Sequence, residues 1–189
     1  HFLRDRQREP GPAGRSQNGP GNHKNRQRRD AVTGKMYYAI VATLMVIFPW
    51  ASVLVDRFVM HNADDLLLII GKWFVFWAVG LRLFLAGLRQ STHPEFTARH
   101  IFEFKTDEPL PVIRELGFAN LSIGLVAIVS LFQRAWLLPA APAGAVFYGL
   151  AGVMHVTHEK RNRVENVAMY TDLYASMVLL LTVYAAVRH

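Results

Sequence analysis

Five polar residues that could support chemistry lie inside or at the ends of long apolar stretches of this sequence. They supply a guanidinium, two carboxylates, an amide and an imidazole, at Arg82, Glu115, Asp172, Asn120 and His155. A guanidinium beside a carboxylate forms an ion pair, and an imidazole gains and loses a proton near neutral pH. Because polar groups are costly among apolar side chains, we treat these five residues as one candidate polar cluster.

Two interpretations of the polar cluster rest on its charges. In the first, Arg82 pairs with Asp172 or Glu115 and so holds the helices together. In this case the amide of Asn120 bonds a neighbouring backbone. In the second, the cluster lines a pocket that is open to the cytoplasm and binds a small polar ligand or a proton. Both interpretations require the side chains to converge in space.

A third interpretation is a metal site at the end of the fourth apolar stretch. His155, His158 and Glu159 stand at i, i+3 and i+4, which places them on one face of a helix. Asp172 or Glu115 could add an oxygen ligand. Two histidines at a helix end are more often simply polar, so we predict no metal, no cofactor and no catalytic residue. The sequence also lacks cysteine, a phosphate-binding glycine loop and an HExxH pattern.

The elements that carry these residues are five apolar stretches, each close to the ~20 helical residues that cross a ~30 Å hydrocarbon core. The stretches are Met36–Val55, Leu66–Leu88, Leu116–Phe132, Leu137–Val156 and Ala168–Val187. They predict an all-α fold, an integral membrane helical bundle with five transmembrane helices. The third stretch reaches back to Val112 only if it includes Arg114 and Glu115. Four spans and one re-entrant segment are the alternative, because Pro139 and Pro142 interrupt the fourth stretch.

Lysine and arginine alternate in number between these stretches, which predicts the orientation of the chain in a membrane. Nine precede the first stretch, four lie in the second connection and three in the fourth. The first connection, the third connection and the C-terminal end hold one each. Since cytoplasmic segments are enriched in Lys and Arg, we predict a cytoplasmic N-terminus and a polar cluster near the inner leaflet. Lys72, which could snorkel, is then the only polar residue singled out in the outer half.

Residues 1–35 differ from the rest of the chain in composition. They carry +6 of the formal net charge of +7 and few apolar side chains, so we predict a disordered basic tail before a transmembrane domain of residues 36–189. The chain begins at His1 and Met36 opens the first apolar stretch, which favours a tail that is not native. A tether to the membrane surface is the alternative. The expected partner is the lipid bilayer, with a homo-oligomer or a larger membrane complex as options and no nucleic acid.

Small residues predict where helices approach closely. Ala141, Ala145 and Gly149 recur every four residues in the fourth stretch, and Gly117 and Gly124 share one face of the third. Such faces let helices pack tightly in a membrane. We therefore predict that spans three and four form a close hairpin across their short connection.

The longest connection, Arg89–Pro111, predicts a short helix of its own. Thr92 followed by Pro94 is typical of a helix start, since proline is tolerated in the first turn. Apolar residues alternate there with basic ones, which favours a position at the cytoplasmic surface of the membrane.

Four motifs in the last three stretches point to a family. They are ELGFANLSIG at Glu115–Gly124, AGVMH at Ala151–His155, Asn166 and Asp172. Together they resemble an uncharacterised family of small bacterial multi-pass membrane proteins, a domain of unknown function loosely similar to DoxX-like membrane proteins. The resemblance covers about residues 110–181. It implies a helical protein of the bacterial inner membrane with Glu115, Asn120 and His155 as recurring polar positions, and it implies no particular activity.

These observations predict a membrane protein without enzymatic activity. It would be an accessory subunit, or would handle a small solute or protons through the polar cluster. The alternative is a membrane-embedded component of a redox or metal-dependent enzyme, for which DoxX-like proteins offer an analogy. Transport requires Glu115, His155 and Asp172 to face one water-accessible cavity, whereas the enzyme requires a bound metal or quinone.

Overall fold

The described part of the chain is mostly helical and contains no strand. The computed structural model describes residue 36 and residues 38–100, 104–157 and 163–188. Its helices are α1 Tyr38–Val59, α2 Leu66–Thr92, α3 Pro94–His100, α4 Leu110–Val129, α5 Leu137–Thr157 and α6 Arg163–Arg188. Within the described residues there are five helices long and apolar enough to cross a membrane, namely all of these except α3. The predicted all-α bundle with five spans is confirmed, whereas the predicted basic tail, residues 1–35, lies outside the described residues.

The fourth span is a continuous helix despite its prolines. α5 runs from Leu137 to Thr157 with Pro142 inside it. Pro139 lies in the first turn, where a helical N–H has no partner, and Pro142 removes only the hydrogen bond to the Leu138 carbonyl in that same turn. The continuous helix supports five spans over the alternative of four spans and a re-entrant segment.

The third span begins earlier than the apolar stretch that predicted it. α4 starts at Leu110, with Pro111 in its first turn, and ends at Val129. It includes the exposed residues Arg114 and Glu115. Hydropathy marks only the part of a helix that lies among apolar surroundings. The helical hydrogen bonds of the backbone continue through polar residues, provided that their side chains can point away from the other helices.

A widened segment in the middle of α2 sets the position of Arg82. Residues Val75–Leu81 form π-helical turns, and Arg82 is the residue at which this segment ends. A π-turn takes an extra residue, so it rotates the face on which the following residues lie. On α5, Tyr148 is fully buried and its hydroxyl donates to the carbonyl of Ala78 inside this segment. The core of the bundle surrounds this segment and includes Phe74, Val79 and Leu179.

The small face of α4 packs against α2. A Cβ built on Gly124 would lie 2.6 Å from the backbone nitrogen of Phe84 and 2.9 Å from the carbonyl oxygen of Gly80. One built on Gly87 would lie 2.6 Å from the carbonyl oxygen of Gly117. The two backbones approach so closely that glycine is the residue that fits.

The small face of α5 packs chiefly against α6 rather than α4. A Cβ on Gly152 would lie 2.6 Å from Leu173, and one on Gly149 would lie 3.0 Å from the hydroxyl of Ser176. The same hydroxyl donates to the carbonyl of Ala145 at 2.9 Å. The predicted close hairpin of spans three and four is therefore wrong, although both small faces do mark close packing. A short connection limits how far apart two helix ends lie, but the shape of the facing surfaces decides which helices pack.

The connection between α2 and α4 contains the predicted short helix. α3 begins at Pro94, and Thr97 and Ala98 are buried against neighbouring helices. The guanidinium of Arg89 stacks on the ring of Phe96 at 3.5 Å. The helix itself is confirmed, and its placement at the membrane surface stays a prediction.

Candidate functional site

An ion pair between α2 and α6 forms the centre of the candidate site. A guanidinium nitrogen of Arg82 lies 3.2 Å from the carboxylate oxygen Oδ1 of Asp172. The side chains are 16% and 6% exposed, so most of the pair is shielded from its surroundings. Of the two pairings considered from the sequence, the structure has the one with Asp172. An isolated charge at this position would be strongly unfavourable, whereas the pair leaves each charge with a partner.

Two residues of α5 complete this site. The guanidinium carbon of Arg82 lies 5.0 Å from the ring centre of Tyr148, so the cation faces the aromatic ring. His155 stands two turns further along α5, is half-buried and interacts electrostatically with Asp172. We call Arg82, Tyr148, His155 and Asp172 the Arg82 site. Three helices contribute to it: the ion pair joins α2 to α6 and lies beside the ring of Tyr148 on α5, and His155 follows two turns along the same helix.

Tyr148 was not among the residues singled out from the sequence. A signal for it was present, because Tyr148 and His155 are seven residues apart and therefore lie on the same face of a helix. An aromatic residue in an apolar stretch does not by itself reveal that its hydroxyl anchors a neighbouring backbone.

The other two members of the predicted polar cluster lie elsewhere. Glu115 is exposed on α4 and belongs to none of the ion pairs found among the described residues. Asn120 is 3% exposed, and its amide nitrogen donates to the side-chain oxygen of Gln90 at 2.8 Å. Within the described part of the chain, the buried oxygens of Asn120 and Ser91 have no hydrogen-bond partner. The structure thus pairs Arg82 with Asp172, with His155 close enough to interact with Asp172 electrostatically, and places Asn120 in a separate contact between α2 and α4. Glu115, which the transport interpretation required beside His155 and Asp172, does not take part in this ion pair.

The proposed metal ligands do not assemble in the part of the chain that the structure describes. No group of three or more His, Asp or Glu side chains that could hold a metal ion is found over residues 38–100, 104–157 and 163–188. His158 and Glu159, which the metal interpretation requires beside His155, lie outside the described residues.

A second polar site lies where α1 ends and α2 begins. Asp56 is 3% exposed in the last, π-helical turn of α1, and its carboxylate contacts the ammonium of Lys72. It also accepts hydrogen bonds from the indole of Trp73 at 2.8 Å and from the amide of Asn62 at 3.2 Å.

Lys72 is therefore paired, and the prediction that it is the only polar residue of note in this half was wrong. Asp56 was missed because the apolar stretch ends at Val55, which suggested that the helix ends there too. In the structure α1 continues to Val59, so that Asp56 is still part of the helix. A carboxylate one turn inside the helix end can then meet the lysine of the next helix.

Comparison with known proteins places this architecture in a family. A family described as "Family of unknown function (DUF6790)" matches residues 35–189, which is most of the chain and includes all five long helices. The chain belongs to the DUF6790 family. No curated protein and no solved structure matches it.

The DUF6790 match includes both polar sites of the bundle. Its range begins at residue 35, next to the start of the first apolar stretch. Arg82, Asp172 and His155 therefore belong to the DUF6790 domain. Since the family has no established activity, the chemistry of this member has to be inferred from the groups that its fold brings together.

Proposed function

We propose that this DUF6790 protein is a non-enzymatic membrane protein that handles protons through the Arg82 site. The observation that carries the proposal is the shielded Arg82–Asp172 ion pair between α2 and α6, with the imidazole of His155 on the neighbouring α5 near enough to act electrostatically on the Asp172 carboxylate. Ionisable groups inside membrane helices are costly, and in membrane proteins they commonly mark proton or ion pathways. An imidazole and a carboxylate are both side-chain groups that take up and release protons in membrane proton pathways.

The proton would move between two named groups. A proton taken up from the aqueous side binds a ring nitrogen of His155, and it then passes to a carboxylate oxygen of Asp172. The carboxyl group becomes neutral, and the cation of Arg82 then keeps its stacking contact with Tyr148. Release of the proton from Asp172 towards the opposite side of the bilayer restores the ion pair with Arg82, so each cycle carries one proton across and leaves the site chemically unchanged.

A purely structural ion pair would explain Arg82 and Asp172 but would not require an ionisable side chain at His155. In the proton-handling account, His155 connects the buried carboxylate to the end of α5, since α5 ends two residues later at Thr157. The two accounts therefore predict different results when the Arg82–Asp172 pair is removed and the fold is kept: proton flux is lost if the site handles protons, and it is unchanged if the pair is only structural.

Proton flux into liposomes tests the proposal. We would reconstitute the purified protein, impose a membrane potential and follow internal pH with an entrapped dye. The wild type is expected to conduct protons, whereas the double variant Arg82→Gln with Asp172→Asn is expected to give only the leak of protein-free liposomes. His155→Gln should slow the flux about 100-fold, because positioned proton-transfer groups typically contribute that much.

The control for this experiment is Arg99→Gln with Asp107→Asn, which removes an exposed ion pair of the same residue types. Its flux should equal that of the wild type. A wild type that conducts no better than empty liposomes would overturn the proposal. So would unchanged flux in a double variant that melts like the wild type, since the pair would then be structural.

We also propose a bacterial cytoplasmic membrane as the location, as the resemblance to DoxX-like proteins implies, and a cytoplasmic N-terminus, as the distribution of Lys and Arg predicts. The support is the excess of Lys and Arg on alternate sides of the predicted spans, including Arg89, Arg99, Lys105 and Arg114 in and beside the connection that contains α3. The bilayer is the partner that five apolar helices require, and assembly into a homo-oligomer or a larger complex would suit an accessory subunit. The α1–α2 connection would then face the outside.

Single cysteines test the orientation, because the chain contains no native cysteine. Asp64→Cys places an exposed thiol between α1 and α2, and Asp107→Cys places one between α3 and α4. In intact cells, a membrane-impermeant maleimide should label the first variant and not the second, whereas both should react after lysis. Labelling of the Asp107→Cys variant alone would reverse the proposed orientation.

A further inference from the structure

A groove runs between α1 and α6 at the end where both helices begin. Its volume is about 600 Å³, within the ~300–1,000 Å³ range typical of small-molecule sites. Most of its wall is apolar, formed by Val41, Ala42, Val46 and Val167. We call this the α1–α6 groove.

The order of residues along the two helices shows how the groove closes. It is lined by Tyr38 to Val46 on α1 and by Arg163 to Thr171 on α6. One turn beyond these residues, the indole of Trp50 donates to the hydroxyl of Tyr174 at 2.7 Å and joins the two helices. The groove is therefore a gap between two parallel spans that begins near the helix starts and closes towards the middle.

Its depth corresponds to one leaflet of a bilayer. Tyr38 and Val46 are separated by about 12 Å along a helix, whereas half of a hydrocarbon core is about 15 Å. An apolar gap of this depth that opens sideways into a membrane would be filled by a hydrocarbon chain, because empty space would forfeit dispersion contacts on both walls.

Polar groups gather at the end of the groove near the helix starts. Arg163 is exposed there, and Asn166 and Tyr38 are half-buried beside it. Arg163 supplies the positive charge at this end of the groove lining. Glu165 is on the same helix but does not line the groove. A guanidinium with an amide and a phenol beside it suits a phosphate group, which accepts several hydrogen bonds and is negatively charged.

We propose that the α1–α6 groove binds an anionic phospholipid. One acyl chain lies along Ala42 and Val46, and the headgroup phosphate meets Arg163, Asn166 and Tyr38. The positive charge of this end selects an anionic headgroup over a zwitterionic one. The site is separate from the Arg82 site, because Thr171 lines the groove whereas Asp172, the next residue, faces Arg82 on another side of α6.

Competition between two lipids tests the proposal by native mass spectrometry. Purified protein in mild detergent would be exposed to equal amounts of phosphatidylglycerol and phosphatidylcholine, and the bound lipids would be counted. The wild type should bind one molecule of phosphatidylglycerol in preference to phosphatidylcholine. Arg163→Gln should reduce this preference about fivefold, the change expected when one cation near an anionic headgroup is lost. Arg188→Gln, which removes a positive charge at the far end of α6, should leave it unchanged.

The acyl chain needs a test of its own. Ala42 is exposed to the groove, so Ala42→Leu fills the space for the chain without disturbing the core, and bound lipid should fall at least fivefold. Ala51→Leu is the matched control, since Ala51 is exposed on the same helix and does not line the groove. Equal lipid retention in these two variants, or equal binding of the two lipids by the wild type, would overturn the proposal. Both variants should melt like the wild type.

Discussion

Replacing Gly124 by alanine is expected to lower the melting temperature in detergent by roughly 6–12 °C, whereas replacing Gly149 by alanine leaves it nearly unchanged. The added methyl group at position 124 would lie 2.6 Å from the backbone nitrogen of Phe84 and 2.9 Å from the carbonyl oxygen of Gly80. These are backbone atoms of α2, which cannot rotate away as a side chain does, so the two helices must separate. Overpacking of this kind costs about 3 kcal/mol, and ~1 kcal/mol shifts the melting temperature of a chain of this size by about 2–4 °C.

Gly149 is the matched control because it is also a helical glycine on a small face. A methyl group there would lie 3.0 Å from the hydroxyl of Ser176, and the next atom is 3.9 Å away. A serine side chain can shift by a few tenths of an ångström, and alanine favours a helix over glycine by about 1 kcal/mol. Equal melting temperatures for the two variants, or a larger loss at position 149, would contradict the packing of α4 on α2 described above.

Neutralising one partner of the Arg82–Asp172 pair is expected to be the second large effect. Arg82→Gln or Asp172→Asn alone leaves the other charge in a site where the side chains are 16% and 6% exposed. An uncompensated buried charge costs about 3–5 kcal/mol. The double variant removes both charges, and most of the lost stability should return. Melting temperatures of the two single variants and the double variant form a double-mutant cycle that measures the coupling.

The control cycle uses Arg99 and Asp107, which form a 2.9 Å ion pair with side chains 60% and 68% exposed. Exposed pairs contribute about 0–1 kcal/mol, so its coupling should be small. If the losses at Arg82 and Asp172 simply add in the double variant, the two residues do not act as a pair in the folded protein. The Arg82 site would then lose its basis, and the proton-handling proposal with it.

Much of the architecture was predictable from the sequence because a bilayer imposes a simple length requirement. A segment that crosses it must be helical and about 20 residues long, so apolar stretches reveal the number of spans directly. The error at Asp56 shows the limit of this argument. Hydropathy locates the apolar phase, but a helix continues past it, and the residues of the last turn are then within reach of the neighbouring helix.

Within the candidate site, the sequence identified residue types but not their partners. Arg82 had two possible carboxylates, and the structure pairs it with Asp172 while Glu115 stays exposed on α4. Asn120 was grouped with the same cluster by depth, yet it bonds Gln90 instead. Depth along a span follows from residue number, whereas the direction in which a side chain points around the helix depends on local turns such as the π-helical segment before Arg82.

The sequence by itself determined an all-α chain with five apolar helices, and it located the charges that are costly within them. It also located the small faces where backbones meet. Only the tertiary structure decided which helices share those faces, which carboxylate pairs with Arg82, and that Asp56 and Lys72 form a second site. The physical reason is that composition and periodicity describe each helix by itself. The pairing of helices depends instead on how well two surfaces fit, and these surfaces are formed by residues that are far apart in the sequence.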